Sequence, residues 1–252
     1  MNLIFWVIIL LILAGVIAVS LQKTLETLEA FEPNIEIVVS RYNEDLQWLK
    51  NKKFGYPTTI YNKGDNDIFY KPKGCKVIKL QNIGRESHSY LYHVINNYNN
   101  MPTLTIFLPG SADDNRKKEW VNKVMKSVEK KIATTFPVEE HGDIKQKFYN
   151  FKLDNWQSTH ESNNKANTEK KLFPSLIRPF GKWYEANFNK NVNYSGYGGI
   201  FAVSYNHIKQ YDKQYYEKLI KQLEISSNPE VGHYFERAWV AVFGVTENAN
   251  FV

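Results

Sequence analysis

The stretch IEIVVSRYNED, residues 35–45, decides how the chain is read. Ile35, Ile37, Val38 and Val39 are β-branched, and such side chains fit a pleated sheet better than a helix. The run stops abruptly in charged and amide residues, as a strand does where it leaves a sheet. TTIYNKG (58–64) reads as a second strand and CKVIKLQN (75–82) as a third. TLTIFLPG (103–110) is a fourth, closed by Pro109-Gly110. Helical patterns lie between and after them: DLQWLKNK (45–52), RESHSYLYHVINNY (85–98) with Leu91, Val94, Ile95 and Tyr98 inward, and NRKKEWVNKVMKSVEKKIATT (115–135) with a Lys-rich solvated face. Strands alternating with helices argue for an α/β sheet containing parallel pairs. YGGIFAVS (197–204) is a further strand entered through two glycines, QYDKQYYEKLIKQLEI (210–225) a helix, and NPEVGHYFERAWVAVFG (228–244) the helix that closes the fold. In the last, Asn228 is expected to cap and Pro229 to occupy the first helical position.

The flanks set the organisation. Leu3 to Leu21 is apolar apart from Ser20 and carries no charge, a length that suits one crossing of a bilayer. We read residues 1–21 as an uncleaved transmembrane anchor, 22–34 as a stem, and 35–252 as one domain with a polar surface loop near 150–172. A signal peptide is the rival reading of the first segment, with Ala18-Val19-Ser20 as a cleavage site. The domain is expected to face the lumen or exterior, a virion or host membrane being one such setting. Cys75 is the single cysteine, which rules out an internal disulfide and a thiolate metal site. The formal charge of +6 is spread over Lys-rich helices and forms no block, so no nucleic-acid partner is expected.

Ligands of open α/β sheets bind beyond the carboxyl ends of the strands. Four polar clusters fall there: SRYNED (40–45), NKGDND (62–67), QNIGRE (81–86) and GSADDN (110–115). Each also has a plain structural reading. Glu44-Asp45 suits the first turn of a helix, Gly84-Arg85-Glu86 a loop-to-helix junction, and the Asp and Asn residues ordinary turns. His88 reads as a hydrogen-bonded boundary residue of its helix.

VVSRYNE resembles the opening of GT-A type glycosyltransferases, where a strand runs into a turn that holds a nucleotide base. QNIGRESHSYLYHVINN is similar to that family's turn and helix beneath the sugar-nucleotide, YGGIFAVSYNHIKQYDKQYYEKL to its acceptor-side strand, and GHYFERAW to its late acidic motif. The resemblance covers most of residues 35–244. It implies a GT-A-like open mixed sheet, mostly parallel and flanked by helices. It also implies donor binding by Tyr42, Asn43, Glu44, Asn82, Gly84 and Arg85, an acceptor beside Gly198 and Gly199, and a catalytic base at Glu236. Asp65 is expected to touch the base or ribose. The partners would be a nucleotide sugar and a glycan or protein acceptor. The chain departs from the metal-dependent pattern: its fourth strand ends in Pro-Gly, and Asp113-Asp114 come a few residues late for a Mn²⁺ or Mg²⁺ site. A closer similarity is to an uncharacterised domain family of fungi, bacteria and large DNA viruses, running from Ser-Arg-Tyr-Asn-Glu-Asp through Gly-Arg-Glu-Ser-His to Gly-His-Tyr-Phe-Glu-Arg-x-Trp.

On the final helix His233, Glu236 and Arg237 stand at i, i+3 and i+4, so all three can touch. Either they form an ion-pair cluster that locks the helix in place, or they line the cleft. In the second case Glu236 takes the acceptor hydroxyl's proton while His233 or Arg237 orients it, and desolvation is expected to raise its basicity. The sequence expectation is therefore a membrane-anchored, inverting glycosyltransferase. Its rival is a non-enzymatic, membrane-displayed binding or structural protein that keeps the fold.

Overall fold

The computed structural model describes residues 13–20, 22, 34–52, 54–154 and 172–252. The chain divides into two units, residues 1–34 and 35–252. Within the first, residues 13–20 are helical, and no helix among the described residues is long and apolar enough to cross a membrane. The rest of the expected anchor, nearly all of the stem, and residues 155–171 of the expected polar loop lie outside the described residues.

The second unit is built on a seven-stranded sheet among its described residues. In chain order its strands are β1 (Ile35–Arg41), β2 (Thr58–Asn62), β3 (Lys76–Lys79), β4 (Leu104–Pro109), β5 (Thr134–Phe136), β8 (Phe201–Ser204) and β9 (Ala249–Phe251). A separate two-stranded ribbon pairs β6 (Glu139–Glu140) with β7 (Tyr194–Ser195). The spatial order is β3-β2-β1-β4-β8-β5-β9. The first four strands are mutually parallel; β8 runs antiparallel to both β4 and β5, and β9 is parallel to β5. The sheet is thus mixed and mostly parallel, as expected.

The central strands separate two cores by the alternation of their side chains. Ile35, Ile37 and Val39 of β1 and Leu104, Ile106 and Leu108 of β4 pack on one face. There they meet Trp48 and Leu49 of α1 (Gln47–Lys52) and Val121, Val124, Met125 and Val128 of α3 (Asn115–Lys130). Val38, Phe107, Phe201 and Val203 face the other way. That side is covered by α2 (Arg85–Asn97), α5 (Phe180–Asn187), α7 (Lys213–Lys221) and α8 (Glu230–Val242). Two short helices, α4 (Ile144–Lys147) and α6 (Tyr205–Ile208), complete the unit. Both faces of β1 are buried, which is why its sequence reads as a near-continuous apolar run.

Three expectations are corrected. The helix expected over 115–135 stops at Lys130, and Thr134-Thr135 form a buried strand instead, paired to β8 and β9. The closing helix is not the last element, since β9 follows it. Asn228 does not cap α8: Pro229 holds the cap position without a side-chain hydrogen bond, and the Asn228 amide oxygen accepts from Arg85 Nη1 at 3.4 Å.

The turns after β1 and β2 nest against each other at Gly64. A Cβ there would lie 1.7 Å from the Tyr42 carbonyl oxygen, with backbone on both sides. Gly64→Ala should therefore destabilise the domain by about 3 kcal/mol, the upper range for overpacking, in a chemical-denaturation comparison. An unchanged midpoint would show that the turns are not in contact.

Candidate functional site

The carboxyl ends of β1 and β2 are organised by a buried arginine. Arg41, the last residue of β1, is 1% exposed. Its Nε donates to the Glu44 carbonyl at 2.7 Å. Its Nη1 donates to the Tyr42 carbonyl at 3.0 Å, Asn62 Oδ1 at 2.6 Å and the Asn66 carbonyl at 2.8 Å. The guanidinium lies 4.0 Å from the centroid of the Phe69 ring. Glu44 Oε2 accepts from the Tyr42 and Asn43 amides at 2.7 and 3.1 Å, and Asn62 Nδ2 donates to Asp67 Oδ1 at 2.7 Å. Burying an arginine requires this degree of pairing, and the pairing fixes the Tyr42–Glu44 turn.

A second cluster forms where the start of α2 meets α8. Lys63, just past β2, is buried, and its Nζ donates to the carbonyls of Ile83 and Arg85, tying the turn before α2 to β2. Burial pushes the Lys63 ammonium down to about 7, against the attraction of Glu86. Arg85 Nε lies 3.7 Å from Glu86 Oε2, and its Nη2 lies 3.8 Å from Glu236 Oε1. The Glu86 and Glu236 carboxyls thus share the Arg85 guanidinium. His233 Nδ1 is 3.7 Å from Glu236 Oε2. Arg237 donates from Nη1 to the His233 carbonyl at 2.8 Å, and its guanidinium lies 3.6 Å from the Phe151 ring centroid.

The electrostatics of this cluster reverse one expectation. Desolvation does push the Glu236 carboxyl upward, but His233 and Arg85 outweigh it and hold Glu236 well below the usual carboxylate range. The upward shift falls on Glu86, where desolvation and the neighbouring Glu236 prevail over Arg85. Desolvation, then Arg85, lowers His233, which leaves the ring neutral at pH 7. Burial and the nearby Lys63 push His88 down to about 3, so it too is a neutral, buried group.

The expected site residues divide clearly. Tyr42, Asn43 and Glu44 form one turn, while Glu236, His233 and Arg237 gather around Arg85. Gly84, in the left-handed region at φ 62°, precedes α2 and packs on Leu223. Gly199, at φ 64°, joins the cluster: a Cβ there would stand 3.1 Å from Glu86 Cγ, and its carbonyl accepts from the Tyr90 hydroxyl at 2.8 Å. Gly198 faces Trp120 and Lys117 of α3 instead. Asn82 is half-buried in the turn before α2. Asp65 is exposed and meets Lys79 at 3.6 Å; its neighbours Asn66 and Asp67 are the ones that pack into the Arg41 network. Asp113 is exposed and Asp114 precedes α3. Among the described residues no group of three or more His, Cys, Asp or Glu is arranged to hold a metal ion. The sequence reading held Arg41, Asn62, Lys63 and Glu86 only as members of its polar clusters, with no role of their own, and did not single out Tyr90. For Arg41 and Lys63 the signal was a cation where a buried strand ends, Arg41 as the last residue of β1 and Lys63 the residue after β2.

Lys63 carries a pH signature. Between about 7 and the ordinary lysine value of 10.5, the unfolded chain binds a proton that the folded chain lacks, so stability rises with pH across that window. Relative to Lys63→Met, the wild type should gain about 2 kcal/mol between pH 7 and pH 9, measured by denaturant titration. Parallel pH profiles for the two proteins would contradict the assignment.

No curated protein matches the chain. Residues 37–250, almost the whole of the second unit, match the family model described as Protein of unknown function (DUF3431), and the chain is a member of that family.

Proposed function

We propose that this domain is a GT-A-like glycosyltransferase that takes a sugar from a nucleotide-sugar donor at the carboxyl edge of its sheet. The observation that carries the reading is the cluster of Lys63, Arg85, Glu86, His233 and Glu236 at that edge, with Lys63 and His233 buried and the other three half-buried. Assembling ionisable groups with mutually displaced proton affinities is costly to stability and typical of sites that do chemistry. Glu236 is ionised at neutral pH, as a proton acceptor must be. In an inverting displacement the acceptor hydroxyl oxygen bonds to the anomeric carbon as the bond to the diphosphate breaks. The hydroxyl proton passes to Glu236, and the electron pair of the broken bond leaves on the diphosphate. The amides at the start of α2 and the Arg85 guanidinium suit the diphosphate. A donor that draws Arg85 away from Glu236 also restores basicity to that carboxylate. The Tyr42–Glu44 turn, set by Arg41, then lies on the nucleoside side. The apolar run from Leu3 to Leu21 would hold the domain at a membrane.

A nucleotide sugar bound at a hundredfold excess over its Kd should stabilise the protein by about 2.7 kcal/mol, read as a rise in Tm with and without Mn²⁺. Glu236→Gln should then lower turnover by about 10²- to 10⁴-fold, the usual worth of a general base, at unchanged Tm. A large fall in Tm instead would mark Glu236 as a structural partner of Arg85. No Tm shift with any nucleotide sugar or nucleoside diphosphate at millimolar concentration would favour a non-enzymatic, membrane-displayed protein. The anchor has its own test: the intact chain should stay in the membrane pellet after carbonate extraction, and a released product beginning near Leu21 would identify a cleaved signal peptide.

A further inference from the structure

Helix α8 meets two arginines on two faces, and only one of those faces belongs to the cluster described above. Arg85 follows the face of Gly232 and Glu236, which are four residues apart and so lie one above the other. A Cβ on Gly232 would stand 3.3 Å from Arg85 Cδ, and Arg85 Nη2 lies 3.8 Å from Glu236 Oε1. Asn228, just ahead of the helix, accepts from Arg85 Nη1 at 3.4 Å. Glu230 is two residues from Gly232, about 200° around the helix, and it is fully buried. Its Oε1 accepts from the Leu153 amide at 2.8 Å, the Tyr234 hydroxyl at 2.8 Å and Arg178 Nη2 at 3.1 Å. Its Oε2 accepts from the Ser175 amide at 2.9 Å.

We propose that Glu230 is a positioning residue that fixes the entry and rotation of α8, and so sets how Asn228 and Glu236 meet Arg85. The inference rests on the glycosyltransferase reading for the use made of Arg85, though not for its first test. Apolar packing is non-directional, so the buried face of α8 alone leaves small rotations of the helix inexpensive. A carboxylate that holds donors 52, 55 and 77 residues away in sequence is directional. The backbone adds a second tie: the Phe173 amide donates to the Asn228 carbonyl at 3.0 Å, and the Glu230 amide to the Phe173 carbonyl at 2.8 Å. Asn228 is thus held by its own carbonyl while its side chain reaches Arg85.

The same clasp reaches the far side of the cluster. Phe151, two residues before the Leu153 amide that Glu230 holds, has its ring centroid 3.6 Å from the Arg237 guanidinium. Arg178 Nη2 closes the clasp by donating to the Leu153 carbonyl at 3.1 Å and to Asp154 Oδ1 at 3.2 Å. Only an ionised carboxylate suits Glu230, because every group around it is a donor. In Glu230→Gln one acceptor oxygen becomes an NH₂ group that must face an N–H or O–H. The helix can relieve that conflict by turning, which moves the opposite face against Arg85.

The test compares purified wild type, Glu230→Gln and Arg178→Met well below their melting temperatures. The first readout is the Arg85 side-chain Nε–H resonance, assigned by its loss in Arg85→Lys. It should shift in Glu230→Gln and in the same direction, by less, in Arg178→Met. A lower Tm with the Arg85 resonance unmoved would mark the clasp as structural only and overturn the inference. The second readout is pyrophosphate binding. Its Kd should weaken about tenfold in Glu230→Gln, on the order of one hydrogen bond to a charged group, and hardly at all when Arg85→Met is already present. Equal weakening in both backgrounds would also overturn the inference, because Glu230 would then act without Arg85. If wild type binds no pyrophosphate, the glycosyltransferase reading suffers alone and the Arg85 resonance decides the positioning. If Glu230→Gln fails to fold, Arg178→Met carries the decision, since it leaves the carboxylate and its amide donors in place.

Discussion

Two carboxyls and one guanidinium set the terms for the carboxyl edge of this sheet. Glu86 and Glu236 come from helices that pack together, and Arg85 lies within 4 Å of both. Removing two carboxylates from water would cost several kcal/mol each if both stayed charged. His233 and Arg85 offset that cost at Glu236, while burial and the neighbouring Glu236 push Glu86 upward. The neighbours follow from this. Lys63 closes the turn before α2 through the Arg85 carbonyl, Asn228 gives up its capping role to meet the Arg85 side chain, and Gly199 is bare because Glu86 occupies the space.

The sheet supplies the geometry that makes such a cluster affordable. β1, β2 and β4 are parallel, so their carboxyl ends meet at one edge, and β8 enters that edge from its amino end because it runs antiparallel. Arg41 anchors the neighbouring turns by donating to backbone oxygens after β1 and β2 and to the Asn62 side chain at the end of β2. Rigid turns on a buried sheet are what a binding site needs, since groups held in place lose little entropy when a ligand arrives.

How much of this was legible in the sequence depended on the range of the interactions. β1 and β4 were readable because both of their faces are buried and their β-branched runs end in turn chemistry. β5 and β9, three residues each, have too little length for a period to show, and Thr134-Thr135 follow a strong helical pattern without a proline or glycine between. The i, i+3, i+4 spacing of His233, Glu236 and Arg237 disclosed their contact on one helix. The meeting of Glu236 with Arg85 and Glu86 did not show, because it needs the packing of α8 on α2. The sign of the Glu236 shift was lost with it: burial was inferred from helix position, whereas the compensating partners come from elsewhere in the chain. Arg41 escaped because arginine is seldom fully buried, so a charge beside a strand end reads by default as solvated.

The most direct measurement is a map of backbone amide shifts on titrating the protein with a panel of nucleoside diphosphates. Perturbations should gather on Tyr42–Glu44, Asn62–Gly64, Gly84–Glu86 and Gly199, the residues that the sheet brings to one edge. The account would be contradicted if no nucleotide perturbs any of them at millimolar concentration. It would equally be contradicted if the shifts fell in the groove of about 450 Å³ at the amino end of β2, lined by Leu49, Phe54, Tyr56, Tyr70 and Cys75.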